Sequence, residues 1–316
     1  MERKGNRMKN TKKSAASRIL TLLLLVSLTV SLNGCTNPQS PGVSSSGPAD
    51  LVIGSKNFTE NIILAHMMAD LIEDRTGLSV KRTLNLGGSS VTWKALQNND
   101  IQLYPDYTGT IVANYYLEET GSAEETLKRT RELVAQDGLE FLEPIGFNNS
   151  YALAVTQDTA AKYGLRTYSD LAKVSENMEL GAEFEFTDRP DTYPGLKELY
   201  HMNFKRVKGM DQGIKYRLIA QNDLDVASAY TTDGQVKVNN LFVLEDDKGF
   251  FPPYDAGAIV RSDLLKKYPE VREALNALGG QINEENMQEL NALVDEGYRE
   301  DLVAREYLVK AGLLDK

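Results

Sequence analysis

Two stretches of the chain decide its fold: residues 93–103 read WKALQNNDIQL, and residues 216–226 read YRLIAQNDLDV. Shifted by 123 residues and compared without gaps, they match an aromatic with an aromatic, a base with a base, and Asn-Asp with Asn-Asp. The same shift carries Tyr107 onto Tyr230, each followed by a threonine. The repeat predicts two similar lobes, each with a tyrosine at the carboxyl end of a strand, where open α/β sheets bind ligands. The alternative is a coincidence between two helix–turn–strand segments.

The surrounding sequence alternates between strand and helix patterns. LVIG at residues 51–54 is a short buried strand. Residues 59–77 carry apolar side chains at helical spacing, between Thr59 as the N-cap and Gly77 as the C-cap. This alternation predicts an α/β protein with open sheets. Further strand, helix and strand segments are predicted at residues 78–86, 87–97 and 101–103.

Two more tyrosines stand at the start of apolar strands. Tyr151 precedes ALAV, and Tyr254 precedes DAGAIV, each after a turn-rich segment. Two such strands, well separated in sequence, suit the paired crossings of a two-lobed clamshell. The predicted first lobe holds residues 51–150 and 255–316, and the second lobe holds residues 151–254. Helices after Arg261 are expected to cover the first lobe.

The N-terminal segment has the pattern of an export signal. Residues 1–18 hold seven basic side chains and one acidic side chain, and residues 19–30 follow as an apolar run that is too short to span a membrane. The run leads into Leu32-Asn33-Gly34-Cys35, which resembles a bacterial lipobox except that Asn33 replaces the usual small residue. We predict a signal peptide at residues 1–34, lipidation of Cys35 at the extracytoplasmic face of the membrane, and a flexible tether at residues 35–50. A plain signal peptide followed by a chance cysteine is the alternative.

Composition excludes several classes of function. Cys35 is the only cysteine, so the body of the protein has no disulfide, thiol nucleophile or cysteine-based metal site. The net charge is −10, and the basic leader makes the remainder still more acidic, which argues against nucleic-acid binding. His66 and His201 are the only histidines, and no H-E-x-x-H, G-x-S-x-G, Walker-type or G-x-G-x-x-G motif occurs. The sequence therefore predicts neither an enzyme nor a bound cofactor or metal.

Aromatic side chains are the candidate binding groups. Most of the 15 tyrosines belong at core edges or on the surface. Four of them fall at strand ends predicted to face the cleft: Tyr107, Tyr151, Tyr230 and Tyr254. A ring of aromatic faces attracts a bulky cation such as trimethylammonium, which has no N–H group to donate. Lys56, Thr110 and Arg189 could hold an accompanying carboxylate, although composition alone favours solvated surface residues at these positions.

Four strings in the sequence resemble a known family. They are IGSKNFTE at residues 53–60, LNLGGSS at residues 84–90, YPDYTGT at residues 104–110 and AYTTDG at residues 229–234. Together they look like the osmoprotectant-binding proteins of ABC importers, which bind glycine betaine, choline, carnitine or proline betaine. The likeness covers residues 51–312.

The resemblance implies a fold, a site and partners. The family fold is the two-lobed type II periplasmic-binding-protein clamshell, and the implied partners are a quaternary-ammonium ligand and a permease with a separate ATPase subunit. We expect a monomer. Carried over by motif, a four-tyrosine cage falls on Tyr107, Tyr151, Tyr230 and Tyr254, and a carboxylate clamp falls on Lys56, Thr110 and Arg189. Ser89 and Ser90 lie where members of the family vary, so the choice of solute stays open.

Three alternatives remain at the level of sequence. The same fold could bind another trimethylammonium solute, such as ergothioneine. A lipid-anchored surface hydrolase is a second alternative, against which the missing nucleophile motifs argue. A structural or adhesive lipoprotein is the third, and it would bind no small molecule.

Overall fold

The computed structural model describes residues 49–315, which contain ten strands and thirteen α-helices. The predicted signal peptide, Cys35 and all but the last two residues of the predicted tether lie outside the described residues. The strands are β1 Leu51–Gly54, β2 Val80–Thr83, β3 Leu103–Tyr107, β4 Leu139–Phe141, β5 Tyr151–Thr156, β6 Glu179–Ala182, β7 Arg206–Gly209, β8 Val226–Tyr230, β9 Leu241–Val243 and β10 Ala256–Arg261. The helices are α1 Thr59–Thr76, α2 Ser89–Gln97, α3 Ala123–Gln136, α4 Gln157–Tyr163, α5 Tyr168–Ala172, α6 Phe184–Asp188, α7 Tyr193–Tyr200, α8 Gln212–Ala220, α9 Gly234–Val238, α10 Ser262–Lys267, α11 Glu270–Asn276, α12 Glu284–Asp295 and α13 Glu300–Lys310. Within this part of the chain, no helix is both long and apolar enough to cross a bilayer.

The strands form two sheets of the same design. The first has the order β2-β1-β3-β10-β4, and the second has the order β7-β6-β8-β5-β9. In each sheet three strands are parallel, and one strand contributed by a crossing (β10 or β5) pairs antiparallel with the third. The predicted α/β class with two lobes and two crossings is confirmed by this topology.

The internal repeat has the same structure in both sheets. The strands β3 and β8 begin and end 123 residues apart, as the repeat predicts. Asn99 and Asn222 occupy equivalent places before them, with left-handed φ angles of 65° and 61°. The amides of Asp100 and Asp223 each donate back to the preceding helix at 2.9 Å. The predicted strand at residues 101–103 therefore starts only at Leu103, because the turn after α2 still occupies the preceding residues.

Two crossing segments connect the sheets, namely residues 142–150 (the first crossing) and residues 244–255 (the second crossing). They run side by side, since Asn148 and Asp255 form an antiparallel bridge. The amide of Asn149 also donates to the carbonyl of Tyr254 at 3.0 Å. The crossings thereby deliver Tyr151 and Tyr254 to the same region between the sheets.

Helix α1 is the main helix packed on the first sheet, and α11 and α13 pack against it. Gly77 ends the helix in the left-handed conformation, with φ of 71°, as predicted. Its start differs from the prediction, because Phe58 is the N-cap and Thr59 is already helical. Local capping preference gives way here to tertiary packing, since the Phe58 ring stacks on two tyrosines of the cleft.

Candidate ligand-binding cleft

A cleft of about 730 Å³ lies between the two sheets, at the carboxyl ends of β1, β3 and β8. Strands ending at one edge bring their following residues together, so sequence-distant side chains meet there. All seven side chains assigned from the sequence line this cleft. They are Lys56, Tyr107, Thr110, Tyr151, Arg189, Tyr230 and Tyr254.

Five aromatic rings form a continuous belt in the cleft. The Tyr151 ring lies 4.8 Å from the Tyr230 ring and 5.6 Å from the Tyr254 ring, measured between centroids. Phe58 connects the remaining tyrosine, since its ring stacks 6.2 Å from Tyr107 and 6.0 Å from Tyr230. Both sheets contribute rings, so a cation held by the belt would contact both lobes at once.

Buried partners hold the phenol groups of this belt. The Tyr107 hydroxyl donates to Glu60 at 2.6 Å, and the Tyr254 hydroxyl donates to Asp191 at 2.8 Å. Burial raises the pKa of all four cage tyrosines, so their rings are neutral at physiological pH. The belt therefore presents polarisable ring faces without a phenolate charge.

Arg189 lies at the Tyr151–Tyr254 side of the belt and is only 7% exposed. Its guanidinium donates to Ser89 and to Thr110, each at 3.3 Å, and forms an ion pair with Asp191. Ser89 and Thr110 come from the first lobe, whereas Arg189 comes from α6's C-terminal end in the second. The Nε and one Nη group of the guanidinium already donate to the two carboxylate oxygens of Asp191, and the same side chain contacts the two hydroxyls.

Lys56, like Arg189, is paired with a buried carboxylate. Its ammonium donates to Asp106 at 2.6 Å, and both side chains are buried. Asp106 also accepts from the hydroxyls of Tyr104 and Tyr115. The Lys56 nitrogen lies 5.3 Å from the Tyr107 ring centroid. The seven residues meet in one cleft, but the charge of Lys56 is already balanced by Asp106.

Two buried carboxyl groups flank the aromatic belt. Burial raises the pKa of Glu60 to about 7, and hydrogen bonds from Thr232, Tyr107 and Asn149 oppose that rise only in part. Burial likewise raises the pKa of Asp233 to about 6, against the opposing charge of Lys215. The cleft thus has the Arg189–Asp191 ion pair on one side and the buried carboxyl group of Glu60 on the other.

The family model described as the substrate-binding domain of ABC-type glycine betaine transport systems matches residues 49–310. The protein belongs to this family. The carnitine transport binding protein OpuCC of Listeria monocytogenes is 36% identical over 299 residues, covering 91% of this chain and 94% of that protein. A solved structure of a glycine betaine/carnitine/choline ABC transporter superposes with a TM-score of 0.70 at 36% identity, covering 84% of this chain and 100% of that one.

Another relative combines two functions in one chain. The ergothioneine transport permease/ergothioneine binding protein EgtU of Helicobacter pylori is 37% identical over 267 residues, covering 83% of this chain. The present chain corresponds to only 48% of that longer protein. The comparisons therefore establish the family and the type II clamshell fold, which the resemblance in the sequence had implied.

Several residues that line the cleft of this substrate-binding domain were not predicted from the sequence. Phe58 and Glu60 lie inside the IGSKNFTE string, which marks them, but their roles depend on contacts with β3 and β8. Asn149 and Asn291 also line the cleft. Asn149 could have been suspected from its place beside Tyr151, whereas Asn291 lies in α12 with no distinguishing signal around it.

Proposed function

We propose that this protein captures a quaternary-ammonium solute such as glycine betaine, choline or carnitine and presents it to an ABC permease whose ATPase is a separate chain. The observation that carries this proposal is the belt of five aromatic rings, drawn from both lobes, beside the Arg189 group. Membership of the glycine betaine substrate-binding family and the 36% identity to a carnitine transport binding protein support the same class of ligand.

The cleft explains how such a solute is recognised without a hydrogen bond to its cation. Each ring face contributes about 0.5–2 kcal/mol to binding a desolvated ammonium. A carboxylate on the solute is placed against Arg189 and Thr110, where charge-assisted hydrogen bonds fix its orientation. Choline has no carboxylate, so the rings hold it without contacts to Arg189 and Thr110.

Binding is coupled to closure of the two lobes. The amide and hydroxyl of Ser89 in the first lobe donate to Glu185 in the second. A solute that contacts rings from both lobes favours the closed arrangement over an open one, since its interactions are complete only there. The closed form is the one presented to the permease, and the solute leaves unmodified because capture involves no covalent step.

The site of action follows from the N-terminal sequence. Lipidation of Cys35 would hold the monomeric protein at the extracytoplasmic face of the membrane, beside the permease. Replacing Cys35 by serine is then expected to shift the protein from the detergent phase to the aqueous phase in a Triton X-114 partition. An unchanged partition would exclude the anchor while leaving the binding function intact.

Calorimetry with a panel of quaternary amines tests the binding function. Wild-type protein is expected to bind at least one of glycine betaine, choline and carnitine, and Tyr230→Ala should weaken that binding by about tenfold or more because a ring of the belt is lost. Tyr298→Ala is the matched control, since Tyr298 is exposed and lies outside the cleft. Failure of the whole panel, or unchanged binding by Tyr230→Ala, would overturn the proposal.

Ergothioneine is the second candidate solute, and two observations favour it. A relative at 37% identity is an ergothioneine binding protein, and the acidic side of the cleft offers acceptors for an N–H group. Competition between ergothioneine and carnitine for the same site separates the two candidates. Displacement of carnitine by ergothioneine at lower concentration would favour the second.

A further inference from the structure

Three side chains form a cluster of hydrogen-bond acceptors at the acidic side of the cleft. Asn149 donates its Nδ2 to Glu60 at 2.7 Å, and Asn291 donates its Nδ2 to Glu60 at 3.5 Å and to the Thr232 carbonyl at 3.0 Å. Both asparagines are only 5% exposed. Among residues 49–315, neither Oδ1 atom has a hydrogen-bond partner. We call Glu60, Asn149 and Asn291 the acceptor cluster.

The two amide oxygens point to a ligand rather than to a packing role. A buried acceptor without a partner costs about 1–3 kcal/mol, and such groups are rare in folded proteins. The Asn291 amide is oriented by the Thr232 carbonyl at 3.0 Å, which can only accept, and the Asn149 amide is oriented by the ionised form of Glu60 at 2.7 Å. Both asparagines and Glu60 line the same cleft as the aromatic belt.

The acceptor cluster has a defined place relative to the rest of the site. Glu60 lies in the first turn of α1, Asn149 in the first crossing and Asn291 in α12. The Tyr107 hydroxyl donates to Glu60, so the acceptor cluster lies at the hydroxyl end of the Tyr107 side chain. The Arg189 group lies beside Tyr151 and Tyr254 instead. One solute held by the rings can therefore face a donor fork on one side and acceptors on the other.

The groups around the acceptor cluster favour a hydrogen-bond donor on the solute over an anionic group. The hydrogen-bond partners of Glu60 in the described structure are neutral groups of Tyr107, Asn149, Asn291 and Thr232, and the charged neighbour that acts on it is Asp233. Within residues 49–315, no lysine or arginine side chain hydrogen-bonds to Glu60, Asn149 or Asn291. A hydroxyl or N–H on a solute would satisfy them without introducing an anion.

We propose that the acceptor cluster is a subsite for a hydroxyl or N–H group of the bound quaternary-ammonium solute, so that the protein prefers solutes with such a donor to analogues without it. The inference rests on the proposed function, since it concerns the same cleft. A volume of about 730 Å³ lies within the range of sites for drug-sized molecules, which leaves room for more than glycine betaine.

A pair of solutes that differ in one hydroxyl tests the subsite directly. L-carnitine and 4-(trimethylammonio)butanoate share the cation, the chain length and the carboxylate. By titration calorimetry, wild-type protein is expected to bind carnitine at least about fivefold more tightly, which corresponds to one net hydrogen bond. Choline and ethyltrimethylammonium form a second pair for which the same direction is expected.

Two variants test whether Asn149 and Asn291 cause the preference for the hydroxylated solute. Asn291→Leu removes one free acceptor, and Asn149→Leu removes the other, so each should bring the ratio of the two dissociation constants toward one. Asn276→Leu, at the end of α11 and outside the cleft, is the matched control and should keep the wild-type ratio. Circular dichroism and thermal melts check that each variant is folded, and the wild-type ratio itself requires no variant.

The outcomes separate this inference from the proposed function. If wild-type protein binds both members of each pair equally well, the subsite is excluded and the quaternary-ammonium function stands. If it binds none of the four, the proposed function fails as well. A preference that survives in both folded leucine variants would also overturn the assignment, because the donor would then be recognised elsewhere.

Discussion

At the scale of single residues, Glu60 should make stability depend on pH. It is 2% exposed and faces Tyr107 of β3, Asn149 of the first crossing, Asn291 of α12, and Thr232 and Asp233 after β8. Its pKa of about 7 in the folded protein exceeds the ordinary value of 4.5, so the folded state binds more protons between these values. The free energy of unfolding therefore falls as pH rises from about 4.5 to about 7, by about 3 kcal/mol.

Urea denaturation between pH 5 and pH 8 measures this effect. Glu60→Gln cannot ionise, so its free energy of unfolding should fall much less over the same interval. In this variant Asp233, whose pKa is raised to about 6, should still make the free energy of unfolding fall with rising pH, but by less than in wild type. Glu124→Gln, an exposed change in α3, is the control and should follow wild type. A wild-type stability that rises from pH 5 to pH 7 would contradict the prediction.

Arg189 should distinguish solutes with a carboxylate from those without one. Arg189→Lys keeps the positive charge beside Asp191 but loses the planar fork that contacts Ser89 and Thr110. Binding of glycine betaine or carnitine is expected to weaken by about tenfold, and binding of choline much less. Calorimetry with both kinds of solute gives the comparison, with the exposed Arg206→Lys as control. Equal losses for all solutes would show that Arg189 acts through the structure of the cleft rather than through a carboxylate.

The site residues differ in how far the sequence could reveal them. Tyr107 and Tyr230 could be predicted as site residues because a repeated helix–turn–strand places each at a strand end. The ion pair of Lys56 with Asp106 was not, since the pair spans 50 positions and depends on how β1 and β3 lie side by side. The contact between Glu60 and Asn291 spans 231 positions and no local pattern encodes it.

At the scale of elements, the left-handed turns before β3 and β8 should be sensitive to side-chain type. Asn222 has φ of 61°, a conformation that asparagine and glycine tolerate better than other residues. Asn222→Ala is expected to lower the free energy of unfolding by about 1 kcal/mol, whereas Asn222→Gly should be close to neutral. The equivalent Asn99 should show the same order if the repeat is structural.

Urea denaturation of both pairs of variants checks this prediction. Asn98→Ala is the control, since Asn98 has an ordinary φ of −74° and should tolerate alanine. Alanine and glycine variants of equal stability would show that the positive φ costs little at these turns.

Element boundaries were less predictable than element order. The repeat located α2, β3, α8 and β8, because apolar periodicity and the Asn-Asp turn act locally. The N-terminus of α1 was placed one residue late, since Thr59 has the better capping side chain but Phe58 gains aromatic contacts. Tertiary packing that outweighs a capping preference of about 1 kcal/mol cannot be seen in a local pattern.

At the scale of the whole molecule, helix α12 links the C-terminal part of the chain to the second lobe. Gln288 and Asn291 of α12 donate to the carbonyls of Thr231 and Thr232 after β8, so a helix of the C-terminal part reaches the second sheet. The helices after Arg261 were expected to cover the first lobe, and α11 and α13 do pack on α1. The additional contact of α12 required the three-dimensional arrangement, because it involves backbone carbonyls that carry no sequence signal.

Gly88 offers a way to disturb closure without disturbing either lobe. Its φ of −74° is open to any residue, but a Cβ added there would lie 2.1 Å from the Glu185 carboxyl oxygen of the second lobe. In Gly88→Ala the Glu185 side chain must turn away and lose both hydrogen bonds from Ser89. Solute affinity should then fall by about fivefold to tenfold, because the closed state loses contacts that the open state never makes.

The same variant should leave the ligand-free protein as stable as wild type in a thermal melt, since the strained contact exists only when the lobes meet. Small-angle scattering should show a smaller decrease of the radius of gyration on adding solute than in wild type. Gly213→Ala is the matched control: it also lies at the cleft, but an added Cβ there meets no atom within 4 Å. Wild-type affinity and compaction in Gly88→Ala would mean that Glu185 and Ser89 do not contribute to closure, and that the aromatic belt and Arg189 alone hold the lobes around the solute.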